Sequence, residues 1–149
     1  MPKKRLHRVS IYLLDPDRRR VLLCRSEQGP FASKYVALSA GLNDVETPLE
    51  TLRTLVTRVT RLDFDFLGHA TSMPTVLDEQ SVKFFPPLHL QVTAIDQNTD
   101  IVEYVYVGQA KTAPTFREGS PLNWFTPATL RNAPTHVKAV VHHILSLMG

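Results

Sequence analysis

The segment from Thr47 to Leu62 constrains the fold of this chain more than any other. Leu49, Leu52, Leu55, Val56, Val59 and Leu62 recur at helical spacing and make one apolar face. Thr47 can accept a hydrogen bond at the N-cap, Pro48 suits the first helical position, and Glu50 completes a Thr-x-x-Glu capping box. The spacing predicts a helix from Pro48 to about Arg61. Its outer positions carry threonines of modest helix propensity. The helix therefore depends on packing its apolar face against a larger surface.

That surface is expected to be a sheet. Arg8–Leu14 and Val21–Arg25 are rich in Val, Ile, Tyr and Leu, and the Asp15-Pro16-Asp17-Arg18 turn between them makes a hairpin. Tyr35–Leu38 reads as a short strand followed by a Gly41-Leu42-Asn43-Asp44 loop. Phe64–Ala70, Leu88–Ile95 and Ile101–Gly108 are strand-like, with Asp96-Gln97-Asn98-Thr99 as the turn between the last two. Leu122–Phe125 is a short strand, and Thr126-Pro127 is expected to start a short helix to about Arg131. A final helix runs from Thr135 to Met148, with Val137, Val140, Val141, Ile144, Leu145 and Met148 on its apolar side. Mixed strands around a central and a terminal helix imply a layered α/β or α+β architecture. The 149 residues show no internal repeat, and the eleven prolines are scattered, so one domain spanning 1–149 is expected.

Composition excludes several classes. The single cysteine, Cys24, rules out an internal disulfide framework and a cysteine zinc cage, and it fits a cytoplasmic location. No apolar run approaches the roughly 18 residues needed to span a membrane. The basic start Met1-Pro2-Lys3-Lys4-Arg5 lacks an adequate apolar stretch behind it, so no signal peptide is expected. The net charge of +3 is uneven: residues 1–25 carry eight basic and two acidic residues, and the remainder nine basic and twelve acidic. A basic N-terminal section on a mildly acidic body can contact nucleic acid or an acidic partner, making a regulatory or scaffold module one reading. A solubilising tail and a charged hairpin turn are the simpler account, so nucleic acid is not the favoured partner.

Several local phrases resemble the Nudix hydrolase superfamily. Arg8–Tyr12 through Val21–Arg25 is similar to that family's opening hairpin. Ser39-Ala40-Gly41 followed by Glu46-Thr47-Pro48 is similar to the loop leading into the Nudix helix. Asn123-Trp124-Phe125-Thr126-Pro127-Ala128-Thr129-Leu130 is similar to the late W-F-x-x-x-E-L segment. The resemblance implies a Nudix-like α/β/α sandwich with a mixed sheet, a MutT-like relationship, and a possible homodimer. It also implies Mg²⁺ or Mn²⁺ as cofactor in an active hydrolase, held by helix glutamates of the signature G-x5-E-x7-R-E-U-x-E-E-x-G-U, where U is apolar.

Laid on that signature, Glu46 occupies the first glutamate position. The R-E pair falls on Thr54-Leu55, the apolar position on Val56, the E-E pair on Arg58-Val59 and the glycine on Arg61. Residues 51–62 contain no Asp or Glu. The expectation is a degenerate site with no metal and no cofactor. The chain would bind a nucleotide or another phosphate-bearing small molecule with little or no metal-dependent hydrolysis. Arg53, Arg58 and Arg61 are candidate phosphate contacts, since guanidinium forks suit phosphate; a solvated helix face is the plainer account. The alternative is an active hydrolase of nucleoside diphosphates linked to another group. It needs carboxylates from outside the helix, and Glu46, Glu103 and Glu118 are the candidates. Glu46 is equally explained by the helix N-terminal dipole, Glu103 by the solvent face of an alternating strand, and Glu118 by its loop.

Overall fold

A computed structural model of the chain describes residues 3–67, 75–76, 82–83 and 87–149, with the short strands at 75–76 and 82–83 described by backbone alone. In chain order the elements are β1 (Lys4–Leu14), β2 (Val21–Arg25), β3 (Tyr35–Val36), β4 (Leu38–Gly41), α1 (Pro48–Thr60), β5 (Phe64–Leu67), β6 (Thr75–Val76), β7 (Val82–Lys83), β8 (His89–Ala94), β9 (Thr99–Ala110), β10 (Leu122–Phe125) and α2 (Thr135–Met148).

The main sheet runs β10-β2-β1-β9-β5, with β3 paired to β2, β4 to β1 and β8 to β9. β1 and β9 are parallel from Lys4 opposite Thr99 to Leu14 opposite Gln109. The other pairings of this sheet are antiparallel, so it is mixed. The pleat sends alternate β1 residues to opposite faces. Val9, Ile11 and Leu13 join Leu49, Leu52 and Val56 of α1 in one core. Tyr12 and Leu14 join Val137, Val141 and Ile144 of α2 in the other. β1 is thus buried on both faces along its second half, which explains its near-continuous apolar run. The result is an α/β/α sandwich with one helix per face.

The local devices are specific. Thr47 Oγ1 accepts from the Glu50 N–H at 3.3 Å and caps α1. Arg61 ends the helix in the left-handed region, φ 60°, with its N–H directed to the Val56 and Thr57 carbonyls.

Three expectations need adjustment. β1 begins at Lys4, not Arg8, because the neighbouring β9 runs parallel far enough to pair the whole basic stretch; Lys3 Nζ also meets Asp100 Oδ1 at 3.2 Å. Tyr35–Leu38 is two strands: β3 pairs with β2, and β4 pairs with β1 through Gly41, which is strand where a loop was expected. Residues 127–129 form a turn and not a short helix. Reciprocal bonds between Thr126 and Thr129 close that turn before Asn132-Ala133-Pro134. β5 is described only to Leu67, and the remainder of the expected Phe64–Ala70 strand lies outside the described residues.

Candidate functional site

A cavity of about 440 Å³ lies on the α2 face of the sheet. This falls within the roughly 300–1,000 Å³ usual for small-molecule sites. Arg8 and Tyr12 come from β1, Ser39 from β4, Glu103 from β9 and His136 from the first turn of α2, while Phe31 comes from the loop after β2. The placement follows from register. Arg8, Ser10 and Tyr12 share one face of β1 by the two-residue period. Glu103 is the cross-strand partner of Arg8, and Ser39 of Ser10.

Each charged group in this cavity holds a serine. Ser10 Oγ donates to Glu103 Oε2 at 2.9 Å, and Arg8 Nη2 donates to Ser39 Oγ at 3.2 Å. Arg8 and Glu103 form no ion pair with one another; among the described residues the ion pairs are Lys3–Asp100 and Arg20–Asp15. Burial raises the Tyr12 hydroxyl well above the ordinary tyrosine range, and the Glu103 charge adds to the shift. Burial lowers the His136 pKa, and Glu103 opposes that shift. The Phe31 and His136 rings, which both line the cavity, stand 5.1 Å apart, tilted by 57°.

The residues singled out from sequence scatter around this geometry. Glu103 lines the cavity. Glu46 sits before α1, where Asn43 Oδ1 accepts from its N–H at 2.8 Å and Thr54 Oγ1 donates to its Oε2 at 3.3 Å. Glu118 is exposed in the turn that precedes β10. Glu46, Glu103 and Glu118 do not converge: among the described residues no three His, Cys, Asp or Glu side chains come together as a metal-holding group. Arg53 lays its guanidinium 5.0 Å from the Phe66 ring centroid and 5.7 Å from that of Phe64. Arg58 and Arg61 are exposed at the C-terminal end of α1, where cations complement the helix dipole. None of the three arginines lines the cavity.

The donor set of α1 does not fit the divalent cation that the fold implies. Leu55 is buried in the core, and neither Arg58 nor Val59 offers an oxygen ligand. Sequence reasoning missed Arg8, Ser10, Tyr12, Ser39, Phe31 and His136. The available signal was the polar face of the first strand, where Arg8 and Ser10 alternate with Val9 and Ile11.

Comparison with solved structures places this architecture. A NUDIX family hydrolase from Clostridium perfringens matches with a TM-score of 0.71 and 17% identity, over 98% of this chain and 99% of that one. A MutT protein from Methanosarcina mazei Go1 matches with a TM-score of 0.65 and 14% identity, over 97% and 95%. A Nudix hydrolase from M. smegmatis matches with a TM-score of 0.53 and 12% identity, over 99% and 87%. No family sequence model and no curated protein sequence matches the chain. The fold is that of the Nudix hydrolases.

Proposed function

We propose that this chain is a Nudix-superfamily protein with a degenerate signature, binding a nucleotide or another phosphate-bearing small molecule with little or no metal-dependent hydrolysis. One observation carries the reading. A ligand-sized cavity with charged walls lies on the α2 face, while the α1 positions that would hold metal carry Leu55, Arg58 and Val59. Arg53, Arg58 and Arg61 are the candidate phosphate contacts outside the cavity. Among these, Arg58 and Arg61 have free reach, whereas Arg53 is already seated on two rings.

Nucleic acid is not the favoured partner. Part of the basic N-terminal section is occupied within the fold: Lys3 pairs with Asp100, Arg20 pairs with Asp15, and Arg18 donates to Gln109 at 3.1 Å. Among the described residues no helix is long and apolar enough to cross a membrane. A cytoplasmic location rests on the lone cysteine, and a homodimer on the resemblance alone.

The test is a thermal-shift panel of nucleotides without metal, run beside a hydrolysis screen of diphosphates with Mg²⁺ and Mn²⁺. Nucleotides are expected to raise the melting temperature without metal, because a ligand bound only by the folded state stabilises it. Turnover in the screen would instead establish the active-hydrolase alternative.

A further inference from the structure

We propose that Arg8 and Glu103 form a donor–acceptor clamp for an uncharged amide edge, and that Glu103 keeps phosphate out of this cavity. The amide edge is a lactam of an oxo-nucleobase or a carboxamide on a flat ring. This rests on the reading above, since it assigns which end of the ligand enters the cavity.

The two residues are register partners on parallel strands, so their backbones lie about 4.8 Å apart. Directly opposed, oppositely charged side chains commonly pair. Here they splay, each anchored by a serine from a neighbouring position, Arg8 on Ser39 and Glu103 on Ser10. Ser10 is completely buried, which makes it a fixed support. The cavity therefore presents fixed donors beside a fixed acceptor.

Charge decides what fits. A phosphate drawn to Arg8 would lie within several ångströms of the Glu103 carboxylate. At about 5 Å and an effective dielectric of about 20, one such like-charge contact costs on the order of a hundredfold in affinity, which offsets the attraction of Arg8. An uncharged amide meets no such opposition. Its carbonyl accepts from the Arg8 fork, and its adjacent N–H donates to Glu103. The tilted Phe31 and His136 rings, which both line the cavity, offer flat ring surface to a heterocycle. The phosphate end of a nucleotide is left outside the cavity.

The experiment titrates the wild-type protein with inosine, uridine and nicotinamide, following affinity by calorimetry and location by the His136 ring resonances. At least one should bind and shift His136. Methylating the amide nitrogen of that ligand should weaken it about tenfold or more, because a hydrogen bond to a charged acceptor is lost. Inorganic phosphate should not displace it. In Glu103→Gln, a near-isosteric change whose folding is checked by its melting curve, the ligand should weaken about tenfold and inorganic phosphate should become a competitor. The clamp is overturned if none of the three ligands moves His136, if the methylated ligand binds equally well, or if phosphate competes in the wild type. The two readings fail separately. Nucleotides that bind regardless of N-methylation sink the clamp alone. Nucleosides that bind with no gain from any 5′-phosphate sink the phosphate-ligand reading alone.

Discussion

Asp15 and Arg20 close the β1–β2 turn through a side-chain contact of 3.0 Å between Asp15 Oδ2 and Arg20 Nε. The other carboxylate oxygen accepts from the Arg19 and Arg20 N–H groups at 2.8 and 3.1 Å. Asp15 itself is only 2% exposed. Burial alone pushes its carboxyl pKa up, but the backbone bonds and the Arg20 guanidinium outweigh it and hold the pKa below the ordinary aspartate range. The folded state thus favours the charged form. Its contribution is present above the unfolded pKa, near 3.8, and is lost as pH falls toward the lower folded value. Asp15→Asn is expected to cost about 1–3 kcal/mol at neutral pH: the amide oxygen still accepts from the Arg19 and Arg20 N–H groups, but without charge, and the amide nitrogen sets a donor against Arg20 Nε. Urea melts at pH 7 and pH 3 check this: the gap between wild type and variant should narrow at the lower pH.

His136 has the opposite chemistry and the same sign. Burial against Phe31 and the cavity wall lowers its pKa from 6.5, with Glu103 resisting. The unfolded chain therefore binds a proton more readily. This residue's contribution is present above pH 6.5 and declines as pH falls through the lower folded value. His136→Gln should flatten that decline, and urea midpoints compared at pH 7.5 and 5.5 read it. A variant whose pH dependence matched the wild type would remove His136 as its source.

Gly108 sits where β9 passes between β1 and β5. A Cβ there would stand 2.8 Å from Phe64 Cδ2 and 2.9 Å from Leu13 Cδ2, both in side chains of the α1-face core. Gly108→Ala is expected to destabilise by about 1–3 kcal/mol through overpacking. A chemical-denaturation series measures it, and no loss of stability would show that the core around Phe64 gives way freely.

Arg53 holds Phe64 and Phe66 from outside the core. Removing the guanidinium in Arg53→Ala should cost about 0.5–1 kcal/mol as an exposed cation–π contact. Arg58→Ala has no such ring contact to lose and is expected to shift stability by less than about 0.5 kcal/mol. Nucleotide affinity measured on both variants separates packing from ligand contact. A fall in affinity confined to Arg58→Ala assigns phosphate to the C-terminal end of α1.

The layered fold was legible because its cues are local. The Thr47 cap, the periodicity of α1 and α2, and the apolar strands each depend on neighbours within a few residues. Boundaries failed where pairing overrides local preference. Lys4 and Arg5 are poor strand residues by composition, yet β9 offers them partners at Thr99 and Asp100. Thr126-Pro127 begins like a helix, but side-chain bonds between Thr126 and Thr129 satisfy the backbone within one turn.

The sequence by itself determined that residues 51 to 62, the body and end of α1, carry no carboxylate. It also contained Glu103, without the means to say what faces it. Only the tertiary structure decided that. Arg8 and Glu103 are 95 positions apart by number, and the parallel β1–β9 register makes them neighbours. A one-residue slip in that register would send one of the two side chains to the opposite face of the sheet. No periodicity within either strand encodes that choice. It is made by the two cores, which bury Val9 and Ile11 against α1 and so turn Arg8, Ser10 and Tyr12 to the α2 face, where Arg8 and Tyr12 line the cavity.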